Sequence, residues 1–383
     1  MRFLQATAIF DGQKVLEQDS ILVLNQKNET EDLLPANAIE SSRIEQLQGW
    51  LCPGFVNAHC HLELSHLIGQ VPRGTGLPAF GKQIISKRMA FKPEEAEEHM
   101  LEADRFMWSK GIVAVGDISN NAASFKTKAG SKITYHTFVE LLGLHPAQAA
   151  EVFKQGESLV AEAGAYGLKA SLSPHAPYSV SKDLFLKIKT FCEKNHLPHT
   201  VHNQESEEEL KFLKGEPGGF DELYRHLNVN LSFYEAPGKW GLDYLKEFLP
   251  RNLSLLVHNT FSSAQDLVLA AELNAFFCFC PGANEYIEGR LPDFDLFKPH
   301  TNKLCLGTDS LASNDNLDLL KEANAVMQKG KFEVEEVLKM LSFQGAEALG
   351  LSNTHGCISK GKNAGINLIE YKSNQLSFLK KIA

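Results

Sequence analysis

The sequence has 383 residues, of which 43% are hydrophobic and 22% charged, and its 38 basic and 47 acidic side chains give a formal net charge of −9. This composition is typical of a large globular protein, and an acidic chain without a run of Lys or Arg argues against nucleic acid as a partner. No apolar segment approaches the roughly 20 residues that a membrane helix needs, so we expect no membrane partner. The N-terminal residues show no export signal.

The seven cysteines indicate a reducing compartment. They are odd in number and scattered, and most lie in apolar runs such as residues 276–280 and 304–306. This distribution is typical of buried thiols and not of a disulfide framework. We therefore expect a cytoplasmic protein.

The two ends of the chain share one pattern. Residues 1–50 contain short alternating apolar stretches, such as residues 21–24, separated by the polar segment 25–32. This pattern predicts a few strands and a loop. The tail segment 365–371 also predicts a strand, which can pair with the N-terminal strands in a small second domain.

Between the two ends, strand-like apolar runs alternate with amphipathic helical stretches. The helix predicted at 93–110 begins with Pro93 and has Glu94 and Glu95 in its first turn, which are expected start signals. Eight strands are predicted, at residues 51–61, 111–115, 133–142, 167–173, 199–202, 253–258, 275–280 and 304–308. This alternation predicts a parallel sheet covered by helices, and eight strands suit a (β/α)8 barrel. A doubly wound sheet is less favoured because no Gly-x-Gly-x-x-Gly follows an early strand.

The strongest local motif is Pro-Gly-Phe-Val-Asn-Ala-His-Cys-His at residues 53–61. His59 and His61 are two residues apart in a strand-like run, so both imidazoles point to the same face. In a barrel this face is the interior, and the carboxyl end of the strand is where active sites lie. Two imidazoles there can hold a transition metal, although many His-x-His pairs have no link to a metal.

Three later strands also end in polar residues that can bind metal or move protons. His202 ends one strand and is followed by Glu205, His258 ends the next, and Asp309 ends the last. Taken singly, a strand-terminal His is more often a hydrogen-bonded structural residue, and a strand-terminal Asp is often a helix cap. Taken together on separate strands of one barrel, imidazoles and a carboxylate suit Zn²⁺, and Fe²⁺ as well.

This ordered set resembles the amidohydrolase superfamily, and within it the deaminase and chlorohydrolase-like branch. The resemblance extends over nearly the whole chain and includes the segments 173–178, 280–284 and 307–314. It implies an α/β fold, namely a distorted (β/α)8 TIM barrel with a small β-sandwich built from both termini. The expected domains are the sandwich at residues 1–50 plus 355–383 and the barrel at residues 51–354.

The resemblance also implies one divalent metal ion, with Zn²⁺ favoured and Fe²⁺ possible, bound by His59, His61, His202 and Asp309. Binuclear members use a carboxylated lysine at the end of the fourth strand. The only lysine in that strand, Lys169, lies near its start. We therefore expect a mononuclear site.

The expected mechanism follows from charge. A bound metal lowers the pKa of water to about 7, and His258 and Asp309 would take or orient the proton. Glu205 would shuttle a proton to the ring nitrogen and then to the departing amine, an effect of about 10²–10⁴-fold. The other acids of this run are interpreted as a solvated helix start: Glu207, Glu208 and Glu209.

Four residues are candidates for contacts with a small-molecule substrate or for fixing a loop: Glu63, Glu140, His175 and Asn284. Glu63 has the same strand parity as His61, and Glu140 lies near the end of the third strand. Arg88 and Arg290 suit either an acidic substituent or surface salt bridges.

The sequence therefore predicts a metal-dependent hydrolytic deaminase of an amino-substituted N-heterocycle. An adenine-containing nucleoside is favoured, because the motifs look closest to aminodeoxyfutalosine, methylthioadenosine and S-adenosylhomocysteine deaminases. The loop at residues 74–80 lacks the tryptophan-containing segment of the last two, which leaves the nucleoside open. The alternatives are hydrolysis of a cyclic amide or carbon–halogen bond and, in another class, a metal-containing scaffold without turnover. The resemblance also makes a homodimer possible.

Overall fold

The computed structural model describes residues 1–88, 90–362 and 364–383. The strands are β1 (Arg2–Ile9), β2 (Ser20–Leu24), β3 (Thr30–Pro35), β4 (Ile44–Pro53), β5 (Phe55–Cys60), β6 (Ile112–Ser119), β7 (Thr134–Leu141), β8 (Lys169–Pro174), β9 (His199–Asn203), β10 (Ser254–His258), β11 (Ala275–Phe279), β12 (Leu304–Leu306), β13 (Ile366–Lys372) and β14 (Gln375–Lys381).

The helices alternate with the strands of the central part. They are α1 (Leu77–Lys87), α2 (Pro93–Ser109), α3 (Phe125–Ala129), α4 (Ala149–Ala165), α5 (Lys182–Asn195), α6 (Glu207–Lys214), α7 (Gly219–His226), α8 (Gly241–Leu245), α9 (Ala264–Ala270), α10 (Pro281–Ile287), α11 (Phe294–Phe297), α12 (Leu319–Gly330), α13 (Val334–Leu341) and α14 (Phe343–Ala348). Within the described ranges, no helix has both the length and the apolar character needed to span a membrane.

The central part contains two four-stranded sheets, ordered β5-β6-β7-β8 and β12-β11-β10-β9. All neighbouring strands in both sheets run parallel. Every residue of β5, β6 and β10 is buried, which is typical of parallel strands covered on both faces. The predicted alternation of parallel strands and helices is confirmed, and the fold is α/β.

The two sheets also contact each other through their outer strands. A parallel bridge pairs Cys60, at the end of β5, with Asp309, just after β12. Asn57 Nδ2 donates to Thr308 Oγ1 at 2.7 Å, and the Asp309 N–H donates to the His59 carbonyl at 3.1 Å. The carboxyl ends of the first and last of these eight strands therefore lie side by side.

The terminal strands form a single six-stranded sheet, ordered β14-β13-β4-β1-β2-β3. The strand β13 pairs antiparallel with β4, with Ile366 opposite Pro53. The tail therefore pairs with the N-terminal strands, as the sequence suggested. One face of this sheet carries an apolar cluster that includes Leu4, Leu22 and Leu51.

A fully buried ion pair joins β6 to the short helix α3. Asp117 of β6 and Lys128 of α3 are 2.5 Å apart, and both side chains are 0% exposed. Lys128 also donates to Ser119 Oγ at 2.8 Å, and Asp117 accepts the Leu62 N–H at 2.7 Å. Burial raises the pKa of Asp117, and Lys128 opposes that rise. The pair thus fixes the backbone directly after His61.

All seven cysteines are free and buried. This agrees with the expectation of apolar thiols, and burial raises the pKa of Cys52, Cys60 and Cys192. The thiols therefore act as small apolar groups of the core.

Candidate metal centre and active site

The sequence-predicted metal ligands converge at the carboxyl ends of the parallel strands. His59 Nε2 and His61 Nε2 are 3.1 Å apart, and they lie 3.6 and 3.4 Å from Asp309 Oδ1. Five side chains fall into two overlapping groups whose ligand atoms lie within 4.8 Å of one another: His59 with His202 and His258, and His59 with His61 and Asp309.

The hydrogen bonds around these residues leave the inner atoms free for a cation. His202 Nδ1 donates to the His175 carbonyl at 2.9 Å, so its Nε2 carries a lone pair. His258 Nδ1 donates to Asn284 Oδ1 at 2.8 Å, and His258 Nε2 is buried with no hydrogen-bond partner among the described residues. An imidazole with one nitrogen held by an oxygen and the other facing inward is typical of metal sites.

The charges in the cluster suit a divalent cation. Burial lowers the pKa of His61 to about 3, and burial together with the neighbouring imidazoles lowers the pKa of His202 well below its ordinary value. Burial acts to raise the pKa of Asp309, but the hydrogen bond with His59 and the nearby histidines hold it well below its ordinary value. Neutral imidazoles with an ionised carboxylate are the forms that bind metal.

The backbone is strained where two of these residues lie. His258 has a φ of 73° and Asp309 a φ of 55°, both in the left-handed region. Such conformations cost about 1–3 kcal/mol each and persist only when surrounding contacts impose them. Ser313 Oγ supplies one such contact by donating to Asp309 Oδ2 at 2.7 Å, which leaves Oδ1 directed at His59 and His61.

Glu205 lies beside the cluster and is buried, with 4% of its surface exposed. Its Oε1 is 3.5 Å from His258 Nε2. Burial and the nearby carboxylates of Asp309, Glu288 and Glu140 raise the pKa of Glu205 well above its ordinary value. A buried carboxyl group with a raised pKa is suited to giving and taking a proton during a reaction.

A cavity of about 380 Å³ opens above these groups. It is lined by His61, His202, Glu205, His258 and Asp309, and also by Glu140, His175 and Arg88. This volume is within the range of sites for small molecules.

The four candidate substrate residues have different positions. Glu140 and His175 line the cavity, whereas Glu63 and Asn284 are not among its lining residues. Glu63 accepts the Asn120 N–H at 3.1 Å, and burial raises the pKa of both Glu63 and Glu140 to about 7. Asn284 contacts His258, as described above.

Comparison with known proteins then identifies the family. Residues 50–383 match the sequence model of the Amidohydrolase family. The chain belongs to the amidohydrolase family.

One protein sequence and two solved structures within this family are similar to this chain. A Helicobacter pylori protein named adenosine deaminase is 29% identical over 332 residues, which cover 84% of this chain and 79% of that protein. The crystal structure of Helicobacter pylori aminofutalosine deaminase with methylthio-coformycin has a TM-score of 0.85 at 24% identity, covering 97% of this chain and 93% of that one. An adenosine deaminase from Xanthomonas campestris with bound zinc has a TM-score of 0.67 at 21% identity, covering 97% and 85%. This amidohydrolase is a hydrolase that acts on carbon–nitrogen bonds.

Some of the sequence predictions for this amidohydrolase need correction or refinement. Glu209 is not solvated, because it is 0% exposed, while Glu207 is exposed. Arg290 lies over the ring of Phe261 and does not line the cavity, whereas Arg88 does. Lys169 is exposed at the start of β8, as expected.

Several residues that support this site of the amidohydrolase were not predicted from the sequence. Asn120 Nδ2 donates to Glu140 Oε2 at 2.9 Å, and no motif pointed to it. Ser313 lies in the matched segment 307–314, but no role was predicted for it. The outer wall of the cavity is apolar and comes from α1, α7 and the segment after α7: Leu77, Phe80, Ile84, Leu223, Leu227 and Val229.

Glu322 of α12 joins the first turn of α10 to the segment that follows β12 in the amidohydrolase site. Its buried carboxylate accepts the Gly282 N–H at 2.7 Å and a bond from Asn314 Nδ2 at 2.8 Å. The helix α10 carries Asn284, and the segment after β12 carries Asp309. Burial raises the pKa of Glu322 from its ordinary value of 4.5 to about 7.

We expect Glu322→Gln to change how stability depends on pH. Between about pH 4.5 and 7 the folded protein holds the proton of Glu322 and the unfolded chain does not, so wild-type stability falls as pH rises through this window. The free energy of unfolding of the wild type relative to the variant, measured in urea, should decline by about 3 kcal/mol across the window. A constant difference between the two proteins would contradict this expectation.

Proposed function

We propose that this amidohydrolase is a metal-dependent deaminase that removes the exocyclic amine of an adenine-type nucleoside by hydrolysis and releases ammonia. One observation carries the proposal. The buried carboxyl group of Glu205, whose pKa is raised, lies 3.5 Å from His258 Nε2, and this nitrogen has no hydrogen-bond partner among the described residues. This pair borders both the cation cluster and the cavity. The deaminase names of the relatives support the same reaction.

The proposed cofactor is a single Zn²⁺ bound by His59, His61, His202 and Asp309. Bound zinc in the Xanthomonas campestris structure supports this identity, and Fe²⁺ takes the same ligands. A bound divalent metal supplies a Lewis acid that lowers the pKa of water to about 7. A single ion is favoured because Lys169 is exposed, away from the cluster.

A second group of possible ligands does not favour another ion. Glu140, His175 and His202 also have ligand atoms within 4.8 Å of one another. However, His202 Nδ1 is already bonded to the His175 carbonyl, and His175 Nδ1 is 2.6 Å from Ser179 Oγ. These contacts support positioning roles for the two rings.

The protein residues account for the proton transfers. When water adds to the ring carbon that bears the amine, its proton passes to the adjacent ring nitrogen, and Glu205 is placed to deliver it. His258 and Asp309 orient the water and accept the second proton. Transfer of that proton to the amine breaks the carbon–nitrogen bond, which leaves a ring carbonyl and ammonia.

Two of the four candidate substrate residues are proposed to contact the substrate directly, and the other two to act through a neighbouring residue. Glu140 and His175 would contact substrate directly, because both line the cavity. Glu63 would act through Asn120, and Asn284 would act through His258. The apolar outer wall suits the uncharged part of a nucleoside.

The domain organisation is also proposed. Residues 51–354 would form a closed (β/α)8 barrel, which the contacts between Cys60 and Asp309 support. Residues 1–50 plus 355–383 would form the small β-sandwich. The terminal strands form one six-stranded sheet with separate apolar clusters around Leu4 and around Phe3, so this sheet would have to bend over on itself to make a sandwich. The free, buried thiols support a cytoplasmic location.

A substrate panel tests the proposed function. We expect metal-reconstituted protein to release ammonia from at least one adenine nucleoside and to produce a hypoxanthine absorbance spectrum. Ammonia is measured by a coupled assay across purines, pyrimidines and triazines, with metal-free protein as the control. Release of halide or of a ring-opened product without ammonia would favour the alternative hydrolase, and no ammonia from any compound would reject the deaminase.

A further inference from the structure

The segment that carries Glu205 is not part of a strand or a helix. The strand β9 ends at Asn203, and α6 begins at Glu207, with Ser206 as its N-cap residue. Between them Gln204 has a φ of 49°, in the left-handed region. The direction of the Glu205 side chain therefore depends on what holds residues 204 and 205 in this conformation.

One carboxylate holds both backbone amides of this segment. Glu209 Oε1 accepts the Gln204 N–H at 3.1 Å, and Glu209 Oε2 accepts the Glu205 N–H at 3.0 Å. Glu209 is 0% exposed and forms no ion pair among the described residues. Burial raises the pKa of Glu209 to about 8, although the two amide hydrogen bonds oppose that rise because they favour the ionised form.

This arrangement departs from an ordinary capping box. In a capping box the acid at the third helical position accepts the N–H of the N-cap residue. Among the described residues, four other helices follow that rule, with the pairs Lys92 and Glu95, Gly218 and Asp221, Ser263 and Asp266, and Glu333 and Glu336. In α6 the Ser206 hydroxyl accepts the Glu209 N–H as usual, but the Glu209 carboxylate reaches past Ser206 to the two preceding residues.

The contacts use both oxygens of one side chain. Each N–H bonds a different oxygen of Glu209, whereas a glutamine offers one oxygen and an amide that would face the second N–H. Burying a carboxyl group without a cation is costly, so a plain helix cap, which an exposed acid provides equally well, does not explain its position. The Gln204 side chain adds to the same anchor by donating to Asp266 Oδ2 at 3.1 Å.

We propose that Glu209 is a positioning residue that fixes the Glu205 carboxyl group for proton transfer by holding the amides of Gln204 and Glu205. The proposal rests on the role given to Glu205 in the proposed function. Glu209 does not line the cavity and acts only through Glu205.

Glu209→Gln tests the proposal. We expect kcat to fall by about 10²-fold, as a displacement near 1 Å at a reacting group can produce, while KM and bound metal stay within about twofold of wild type. Glu209→Asp keeps both oxygens on a shorter side chain and should recover part of the lost kcat. The matched control is Glu336→Gln, which changes the third-position acid of a remote helix and should leave kcat unchanged.

Two further measurements separate positioning from a general effect on structure. In the double variant E205Q/E209Q, kcat should equal that of E205Q alone, because Glu209 acts through Glu205. Hydrogen–deuterium exchange of the peptide that contains residues 203–206 should be faster in E209Q than in wild type or E336Q. If E209Q fails to fold, E209D is used for both measurements.

Several results would overturn the proposal: wild-type kcat in E209Q, loss of kcat in proportion to loss of metal, additive losses in the double variant, or unchanged exchange at residues 203–206. If the wild type releases no ammonia from any substrate, the proposed function has failed. The exchange comparison needs no substrate, so it then decides alone whether Glu209 holds this segment.

Discussion

Replacing Glu205 with glutamine should lower kcat by about 10²–10⁴-fold and leave the bound metal and KM nearly unchanged. Glutamine has the same shape as glutamate but cannot give or take a proton at its end. Glu205 is buried 3.5 Å from His258 Nε2, so glutamine at this position leaves the proposed proton path without its acid. Ammonia release and metal content are measured on the same protein samples.

The control for this experiment is Glu207→Gln. Glu207 is two residues away but exposed at the first position of α6, so its substitution should change kcat by less than about twofold. Turnover of E205Q at the wild-type rate would remove Glu205 from the proton path. Loss of metal from E205Q would instead make it a structural support of the cation cluster.

The second large effect is expected from Lys128→Met. Removing the lysine leaves Asp117 as an unpaired charge in a fully buried site, which costs about 3–5 kcal/mol of unfolding free energy. Because Asp117 also accepts the Leu62 N–H, metal affinity should fall together with stability. Urea unfolding and metal titration measure the two effects.

The neighbouring Lys126 provides a matched control on the same short helix. Its ion pair with Glu97 has a distance of 2.6 Å, but the two side chains are 74% and 36% exposed. Lys126→Met should therefore cost less than about 1 kcal/mol. If the double variant D117L/K128M recovers stability, the loss in K128M came from the unpaired Asp117; equal losses in K126M and K128M would contradict the prediction.

The residues proposed to hold the metal could be picked out from the sequence because each has a local signal. His59 and His61 share strand parity, and His202, His258 and Asp309 each end an apolar run. Parallel strands bring such ends to one edge regardless of how far apart they are in the chain. The positions of the main strands and helices were also predictable, because each element has its own local apolar pattern.

Strand boundaries were less predictable. The strand predicted at residues 51–61 is two strands, since β4 ends at Pro53 in the terminal sheet and β5 begins at Phe55. The chain changes sheets at Gly54, where a Cβ atom would lie 2.5 Å from Val113 Cγ1. Both strands are apolar, so hydropathy alone cannot separate them.

The supporting residues could not be predicted from local pattern. Glu209 reaches Gln204 and Glu205 only because Gln204 takes a left-handed conformation. Ser313 and Asn120 contact site residues through loops whose path depends on tertiary packing. The sequence therefore predicted that Glu209 is exposed, since acids in a first helical turn are usually solvated.

The hydrogen bond between Asn57 and Thr308 joins positions 251 residues apart. During synthesis, the N-terminal histidines leave the ribosome long before the segment that follows β12, so the proposed ligand set is incomplete for most of translation. Long-range contacts of this kind form late in folding. Metal uptake by a nascent chain would accordingly report that the last strand has docked, and a chain that ends before Asp309 would not be able to hold the ion in the same way.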